Sequence, residues 1–151
     1  MPSKTHEQYA LVAAWAKRCY LAGRTAMESL LRPYDLGATQ WYVLHRLAEG
    51  PTMQRDLVRL LQVERATLSA IVGSLARKGL IEQVADRVDQ RQKLLRLTPA
   101  GAKLWGELPD LTSIRLVAFK GIKQADLAVA IEVLRTATER LDDFTKKGTG
   151  A

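Results

Sequence analysis

The strongest structural signal in the chain is the stretch from Pro51 to Gly101, PTMQRDLVRLLQVERATLSAIVGSLARKGLIEQVADRVDQRQKLLRLTPAG. Its first part, around Leu57–Leu61 and Val63–Ser69, predicts two short helices joined by a tight turn. Its second part, from Gly79–Glu82 to Leu94–Thr98, predicts a two-stranded ribbon, and a third helix follows. This order is that of a winged helix-turn-helix, in which the second helix can lie in the DNA major groove and the ribbon forms a wing.

Length and composition describe one folded domain. The chain has 151 residues, 47% of them hydrophobic, which is enough for a core. No apolar run approaches the roughly 18 residues of a membrane span, and the N-terminus lacks the apolar segment of a secretory signal. The single cysteine, Cys19, allows no internal disulfide and fits a reducing compartment. We therefore expect a cytoplasmic protein without a membrane partner.

Positive charge is concentrated in the same stretch. The net charge of +7 and the pI near 9.8 favour a polyanionic partner, although an anionic membrane would attract the same charge. Between Pro51 and Thr98, nine basic minus five acidic residues leave +4, more than half of the total. Charge that coincides with a helix-turn-helix pattern indicates double-stranded DNA more strongly than charge alone. On this ground Arg55, Arg77 and Lys78 are assigned to the DNA-binding surface.

The rest of the chain is predicted to be helical. Apolar residues at spacings of three and four predict helices at Thr5–Leu31, at Thr39–Leu47, after Pro99, and at Gln124–Phe144. Pro33 ends the first of them, because the residue before a proline is pushed out of the helical region. The glycine-rich residues 147–151 are predicted to form a disordered tail.

The first and last helices each carry an apolar stripe, and a winged lobe of about 70 residues offers little surface to cover both. We therefore expect a homodimer in which these helices interlock; a monomer with a helical cap is the alternative. A two-fold protein also matches a palindromic operator with half-sites about 34 Å apart. Within the single domain 1–151, residues 5–36 and 102–146 would form the dimerisation region and 37–101 the DNA-binding lobe. The expected fold class is mainly α with a small β-hairpin wing.

Short motifs along the chain share their order with one protein family. They are Gln40–Leu44, Leu57, Leu60–Leu61, Thr67–Ser69, Leu75, Gly79–Ile81, Asp89–Arg91 and Leu97–Gly101. Each motif alone is weak, but their order and spacing resemble the multiple-antibiotic-resistance regulator (MarR) family over almost the whole chain. The resemblance implies a homodimeric winged-helix transcription regulator that binds operator DNA. Most members are repressors, and many are released by small phenolic or aromatic carboxylate ligands.

The chain departs from the family pattern before three helices and within one. The family often has Thr or Ser where Gly37, Met53 and Glu64 stand, and a side-chain oxygen there would accept a free backbone N–H. Gly37 caps weakly, Met53 has no capping oxygen, and Glu64 is a poor cap whose charge suits the helix end. The family also often has Arg where Ala70 stands. Because Ala70 cannot make that contact, the operator sequence cannot be copied from relatives.

The second helix of the motif is the predicted recognition helix. Its buried stripe, by spacing, is Leu68, Ile71, Val72 and Leu75. The residues nearer the groove are then Arg65, Ala66, Thr67, Ser69, Ala70 and Ser74. Arg65 is the candidate for a bidentate contact to guanine, and a phosphate contact is the alternative. Thr67 and Ser69 can touch bases or phosphates, and either alanine can contact a thymine methyl group.

The wing is predicted at Gln83–Leu97. Asp89 and Arg91 lie two residues apart in its turn, where Asp89 can hold the local backbone and orient Arg91. The family resemblance makes Arg91 a minor-groove or phosphate contact and Asp89 its support, although Asp-x-Arg is also a common turn pair. Arg87 adds charge to the tip, and Lys93 contributes general electrostatic attraction.

Catalysis finds no support in the sequence. The only two histidines, His6 and His45, stand without a Cys, Asp or Glu cluster of metal-ligand spacing. A phosphate-cradling glycine loop and a nucleophile elbow are both absent from the sequence. We therefore expect neither enzymatic activity nor a metal or cofactor.

A thiol-based redox regulator is the alternative from another functional class. One branch of the family senses organic hydroperoxides through a cysteine in the first helix that nearby tyrosines activate. Alignment puts those residues near Ala13, Met27 and Ala38, so all three are absent. Cys19 falls instead on the apolar stripe of the first helix, where a free cysteine acts as a small hydrophobe. An interaction module that does not bind DNA is a further alternative.

The family's ligand pocket lies between the helical dimer region and the winged lobe. The candidate lining residues here are Trp15, Tyr20, Arg24, Trp41, Tyr42 and His45. Their aromatic rings can stack on a small aromatic or phenolic effector, and Arg24 can meet its carboxylate. Core or dimer contacts would explain most of the same residues.

Overall fold

Helices and one small antiparallel sheet make up the structure, a computed structural model that describes residues 1, 3–89 and 91–148. In chain order its elements are α1 (Lys4–Leu31), α2 (Ala38–Ala48), β1 (Thr52–Met53), α3 (Gln54–Leu61), α4 (Arg65–Arg77), β2 (Ile81–Ala85), β3 (Lys93–Leu97), α5 (Pro99–Glu107), α6 (Thr112–Phe119) and α7 (Gln124–Gly148). The predicted fold class, mainly α with a small β wing, is confirmed.

The first two helices lie within one residue of their predicted bounds. The Ser3 hydroxyl accepts the backbone N–H of His6 at 3.3 Å and caps α1. At its other end α1 passes into a 3-10 turn, Arg32–Tyr34, which contains Pro33. Asp35 then adopts a left-handed conformation (φ 55°), which turns the chain towards α2.

The helix-turn-helix consists of α3 and α4. Gln62 ends α3 in a left-handed conformation (φ 52°), which makes the turn between the helices tight. Met53 and Glu64 precede the two helices, and neither side chain caps its helix by a hydrogen bond within the described residues. On α4 the predicted stripe faces inward: Leu68, Val72 and Leu75 are buried and Ile71 packs against them.

The sheet has one strand more than the two-stranded ribbon that the sequence predicts. β2 and β3 pair antiparallel, with Ile81 opposite Leu97. β1 pairs with the other edge of β3, with Thr52 opposite Leu95, so the strand order is β1-β3-β2. A strand of two residues has no alternating pattern by which a sequence could reveal it.

Thr98 and Gly101 join α5 to the base of the wing. The Thr98 hydroxyl accepts the Gly101 backbone N–H at 3.0 Å and donates to the Gly79 carbonyl. A Cβ atom on Gly101 would lie 1.9 Å from the Leu80 carbonyl oxygen. Only glycine therefore allows α5 to approach the chain this closely.

The sequence pattern does not predict α6. α5 ends at Glu107, before Pro109, and a new helix begins at Thr112. The Asp110 carboxylate accepts the Thr112 backbone N–H at 2.9 Å. Hydrogen bonds from the Thr112 side chain and backbone hold the pKa of the Asp110 carboxyl below its ordinary value. A helix of eight residues is too short for its periodicity to be recognised.

One apolar core lies within the compact unit Met1–Ile114. Its buried members are Leu31, Leu36, Val43, Leu44, Leu47, Leu57, Leu68, Val72, Leu75, Ile81, Leu95 and Leu111. They join the end of α1 to α2, α3, α4 and the sheet. Burial of a side chain of this size is worth about 1.5–3 kcal/mol. The inner side of α4 is therefore held firmly, and its outer side remains available.

The second compact unit, Arg115–Ala151, comprises the rest of α6 and α7 as far as it is described. Several large apolar side chains of α7 are exposed: Val129, Ile131, Val133, Leu134, Leu141 and Phe144. The prediction of a disordered tail is wrong at residues 147 and 148, which complete α7. Lys146 and Lys147 favour this last turn because they lie at the negative end of the helix dipole. Residues 149–151 of the predicted tail lie outside the described residues.

None of the helices described here is long and apolar enough to cross a bilayer. The described side chains also include no group of three His, Cys, Asp or Glu residues that could hold a metal ion. Both histidine rings contact aromatic rings, His6 against Tyr9 and His45 against Trp41.

Candidate nucleic-acid interface

α4 presents a polar face because the core holds its other side. Leu68, Val72 and Leu75 are buried at spacings of four and three, which places them on one side of the helix. The predicted contact residues of the N-terminal half are all exposed: Arg65, Ala66, Thr67, Ser69 and Ala70. Together they offer a guanidinium group, two hydroxyls and two methyl groups. These are groups that read base edges in a major groove.

The C-terminal end of α4 contacts the chain around the start of α2. Ser74 is half-buried, and its hydroxyl accepts the Gln40 side-chain N–H at 3.2 Å. The Lys78 ammonium donates to the Asp35 carbonyl and lies 3.4 Å from the Asp35 carboxylate. Arg77 is exposed. Ser74, Arg77 and Lys78 are all predicted to contact DNA, and two of them, Ser74 and Lys78, already make contacts within the chain.

The start of α3 lies beside the exposed face of α4. Gln54, the first residue of α3, donates its side-chain N–H to the Ser69 hydroxyl at 3.3 Å. Arg55, the next residue, is exposed. One turn further on, Arg59 lies 3.1 Å from the Asp56 carboxylate. The start of α3 therefore adds one exposed cation, Arg55, close to the α4 face.

A hydrogen-bonded turn presents Arg91 at the tip of the wing. The Asp89 carboxylate accepts the backbone N–H of Arg91 at 3.0 Å and lies 3.7 Å from its guanidinium. The Asp86 carboxylate in turn accepts the Asp89 backbone N–H at 3.1 Å. The Arg91 side chain is 95% exposed, and Arg87 is exposed as well. The Asp89 side chain therefore fixes the backbone at Arg91 by a hydrogen bond, and the Arg91 side chain extends into solvent.

The positive charge of this lobe is only partly neutralised. Four of its basic side chains lie in ion pairs: Arg59, Lys78, Arg91 and Arg96. The basic residues of the Pro51–Thr98 stretch that form no ion pair with any described residue are Arg55, Arg65, Arg77, Arg87 and Lys93. All five are exposed, and uncompensated cations of this kind attract the phosphates of DNA.

A cleft of about 560 Å³ opens between α1, the start of α2 and α4. Of the predicted ligand residues, Arg24 lines it. The Arg24 guanidinium donates to the Thr39 hydroxyl at 2.7 Å and lies 3.5 Å from the Glu28 carboxylate. Arg32 and Lys78 also line the cleft, together with the acidic residues Glu28 and Asp35, so its lining carries both signs of charge.

The other predicted ligand residues lie in two different places. Trp41 stacks on His45 with ring centres 4.9 Å apart, and Trp105 of α5 lies 5.4 Å from Trp41. Tyr42 meets Trp41 edge-on at 5.2 Å. We call Trp41, Tyr42, His45 and Trp105 the aromatic cluster. The described lining of the cleft does not include it.

Trp15, Cys19 and Tyr20 lie on the exposed part of α1. Trp15 is 60% and Tyr20 64% exposed, and the Arg18 guanidinium lies 5.2 Å from the centre of the Trp15 ring. Cys19 is exposed in the single chain as well. The lining of the cleft beside Arg24 includes none of these three side chains.

Sequence reasoning missed four residues at these sites. Gln40 and Gln54 donate hydrogen bonds to serine hydroxyls of α4, and Thr39 accepts one from Arg24. Trp105 completes the aromatic cluster. The partners of Gln40 and Gln54 stand 34 and 15 residues away along the chain. No local pattern signals such pairs, because only the packing of helices against each other makes them neighbours.

Comparison with known proteins identifies the family. A sequence model described as the MarR family matches residues 34–92, from the 3-10 turn to the wing. The chain is 25% identical over 120 residues to the HTH-type transcriptional regulator FarR of Neisseria gonorrhoeae, an alignment that covers 79% of this chain and 82% of that protein.

Two solved structures are similar over most of the chain. The crystal structure of a probable transcriptional regulator from Pseudomonas aeruginosa is 30% identical, with a TM-score of 0.66, and the match covers 83% of this chain and 92% of that one. A structure of BpsR from Bordetella bronchiseptica, whose DNA binding is regulated by 6-hydroxynicotinic acid, is 25% identical with a TM-score of 0.75. That match covers 91% of this chain and 98% of that one. The chain therefore belongs to the MarR family of winged helix-turn-helix proteins and is a transcriptional regulator rather than an enzyme.

Proposed function

We propose that the chain is a homodimeric repressor that binds a palindromic operator and leaves it when a small aromatic or anionic ligand binds. The observation that carries the proposal is the exposed N-terminal face of α4. Arg65, Thr67 and Ser69 are exposed on the flanks of that face and Ala66 and Ala70 lie between them, while Leu68 and Leu75 are buried in the core. A helix with such a polar face fits the major groove of B-DNA, which is about 12 Å wide.

The wing supplies the second contact to DNA in this proposal. Arg91 and Arg87 are exposed on a turn whose backbone Asp86 and Asp89 hold. Extended cations of this kind enter the minor groove or neutralise phosphates. Phosphate contacts fix the register of the protein on the duplex, and α4 then reads the bases.

Exposed apolar side chains on two helices support a homodimer. On α1 they are Tyr9, Leu11, Val12, Trp15, Tyr20, Leu21 and Leu30, and α7 exposes the six large apolar side chains named above. Large exposed apolar patches are rare on monomers, and a second copy is the commonest partner that covers them. Residues 5–36 and 102–146 would supply these contacts. The two-fold axis would then place two copies of α4 about 34 Å apart, one for each half-site.

The cleft beside Arg24 is the site that we assign to the ligand. Its volume falls within the range of small-molecule sites, and a guanidinium can bind a carboxylate through two hydrogen bonds. The response of BpsR to 6-hydroxynicotinic acid, a small aromatic carboxylate, supports this ligand class. A carboxylate that draws Arg24 away from Thr39 would remove a hydrogen bond between α1 and α2. Because Gln40 of α2 holds Ser74, that change would reach α4.

Selection of operator sequences from random DNA tests the proposal. With the full chain we expect a palindromic sequence, one dimer per site, and release by at least one member of a panel of aromatic carboxylates. Selection that yields no sequence preference would contradict the repressor proposal. For each variant, release is measured relative to its own affinity without ligand. Arg24→Ala should abolish release and Arg18→Ala should retain it; persistent release in Arg24→Ala would move the assignment to the aromatic cluster.

Cys19 separates the redox alternative from this proposal. Cys19→Ser should leave release by the carboxylate intact. Release by an organic hydroperoxide that disappears in Cys19→Ser would instead favour the thiol-based regulator, which the exposure of this thiol would permit.

A further inference from the structure

Gln54 is the one residue of the described chain with a buried side-chain oxygen or nitrogen that lacks a hydrogen-bond partner. Its Oε1 atom is buried and unpaired, while its Nε2 atom donates to the Ser69 hydroxyl at 3.3 Å. Ser69 stands on the exposed face of α4, among the residues proposed to meet DNA. Buried polar atoms in proteins nearly always have a hydrogen-bond partner, so a buried amide oxygen without one calls for a physical explanation.

The opposite orientation of the amide is less favourable. It would bury the NH₂ group, which has two donors, in the place where the carbonyl oxygen now lies. Unpaired buried N–H groups are rarer in proteins than carbonyl oxygens with incomplete hydrogen bonding. Gln54 is therefore a donor to Ser69 and not an acceptor from it.

The donor role of Gln54 determines what Ser69 can offer. A hydroxyl has one proton and two lone pairs, and one lone pair of Ser69 is occupied by the Gln54 N–H. No hydrogen bond from the Ser69 hydroxyl to any described residue is present, whereas Thr138 and Thr145 donate to carbonyls four residues earlier in α7. The Ser69 proton therefore remains available for an acceptor outside the described chain.

We propose that Gln54 is a positioning residue that commits Ser69 to donate a hydrogen bond to an acceptor atom of operator DNA. The acceptor is either a base atom of the major groove, such as purine N7, or a phosphate oxygen. This inference rests on the proposed binding of operator DNA. It adds that a residue of α3 sets whether Ser69 donates or accepts at the DNA.

Gln54→Glu replaces the hydrogen-bond donor beside Ser69 by an acceptor of almost the same shape. A carboxylate cannot donate, so the Ser69 proton turns towards Glu and the hydroxyl presents lone pairs to the DNA acceptor. Loss of that hydrogen bond should lower operator affinity about ten-fold. The variant places a carboxylate oxygen where the buried Oε1 atom has no partner, so thermal denaturation must check the fold, and Gln54→Met removes the donor without burying a charge. Gln62→Glu, at the exposed C-terminal end of α3, measures the effect of the added charge alone.

The decisive measurement is a double-mutant cycle with Ser69→Ala. In the Ser69→Ala background, Gln54→Glu should lower affinity no more than Gln62→Glu does. Two modified operators distinguish the acceptors, one with 7-deazapurines facing α4 and one with methylphosphonates beside it. The modification that removes the true acceptor should weaken the wild-type chain and leave Gln54→Glu unaffected.

Failure of this inference is distinguishable from failure of the proposed function. If the wild-type chain binds no selected operator, the proposed function is wrong. If it binds, and Gln54→Glu lowers affinity equally with and without the Ser69 hydroxyl, the positioning role of Gln54 is overturned. Equal sensitivity of wild-type and Gln54→Glu to both modified operators would overturn it as well.

Discussion

The Gln40 side chain donates an N–H to the Ser74 hydroxyl at 3.2 Å and so ties the first turn of α2 to the C-terminal part of α4. The Oε1 atom of the same side chain accepts the Gly37 backbone N–H at 3.1 Å and lies 3.5 Å from the Lys78 ammonium. One glutamine thus contacts three parts of the lobe. Ser74 and Lys78, which the sequence assigns to DNA contact, take part in this internal network.

Ser74→Ala should therefore affect stability more than DNA binding. The loss of one half-buried hydrogen bond should lower the free energy of unfolding by about 1 kcal/mol, measured by urea denaturation. Operator affinity of the folded variant should stay within two-fold of wild type, and Ser69→Ala is the matched comparison on the exposed face. A larger loss of affinity for Ser74→Ala than for Ser69→Ala would restore Ser74 as a DNA contact.

Arg91→Ala should weaken binding to all DNA sequences alike. The substitution removes one cation that contacts a phosphate or the minor groove. The plot of log affinity against log salt concentration should therefore become less steep by about one. Titrations at several salt concentrations measure that slope. Arg46→Ala, which removes a cation at the end of α2, is the control for net charge. Unchanged affinity and slope in Arg91→Ala would refute the assignment of the wing.

Arg65→Ala tests whether the chain reads bases or only charge. If Arg65 binds guanine through two hydrogen bonds, the substitution should cost about 1–3 kcal/mol on the selected operator and relax preference at one base position per half-site. Lysine should restore little, because it lacks the planar fork of the guanidinium.

Competition between selected and random DNA measures the effect of Arg65→Ala. If both weaken by the same factor and Arg65→Lys restores both, Arg65 is a phosphate contact. Specificity would then depend on Thr67, Ser69, the wing or the shape of the operator.

Gly101→Ala should destabilise the lobe by about 2–3 kcal/mol. Its methyl group would lie 1.9 Å from the Leu80 carbonyl oxygen, so α5 would have to move away from the base of the wing. Gly106→Ala in the same helix meets no atom within 4 Å among the described residues and should be neutral or stabilising by about 0.5 kcal/mol. Thermal denaturation of the pair provides the comparison, and equal stability of the two variants would contradict the close approach.

Truncation before Gln124 should yield monomers or insoluble protein, because the exposed apolar residues of α7 are proposed to form much of the dimer contact. Ile131→Asp in the full chain makes the same test with a single charge, since Ile131 is 66% exposed in one copy. Glu139→Asp, a change between acidic residues on the same helix, is the control. Sedimentation velocity reports the mass, and a compact dimer after either change would show that the interface lies elsewhere.

Elements whose signals are local could be predicted from the amino-acid sequence. Repetition of apolar residues at three and four positions placed Leu68, Val72 and Leu75 on the buried side of α4 and so predicted its exposed residues. The Asp89-x-Arg91 pair predicted the wing turn in the same way, because a short side chain bonds a backbone N–H only two residues away. Resemblance of motifs to the MarR family supplied the functional interpretation, since spacing alone does not specify a role.

The way these elements meet depends on contacts that form only in the folded chain. β1 and α6 are too short to show a period, and the last turn of α7 forms despite a sequence that suggests disorder. The hydrogen bonds from Gln40 to Ser74 and from Gln54 to Ser69 join residues far apart along the chain. Their energies depend on atoms that approach within about 3 Å only after the apolar core has formed. Burial of leucines packs α2, α3 and α4 together, and that packing decides which hydroxyls of α4 remain available to DNA.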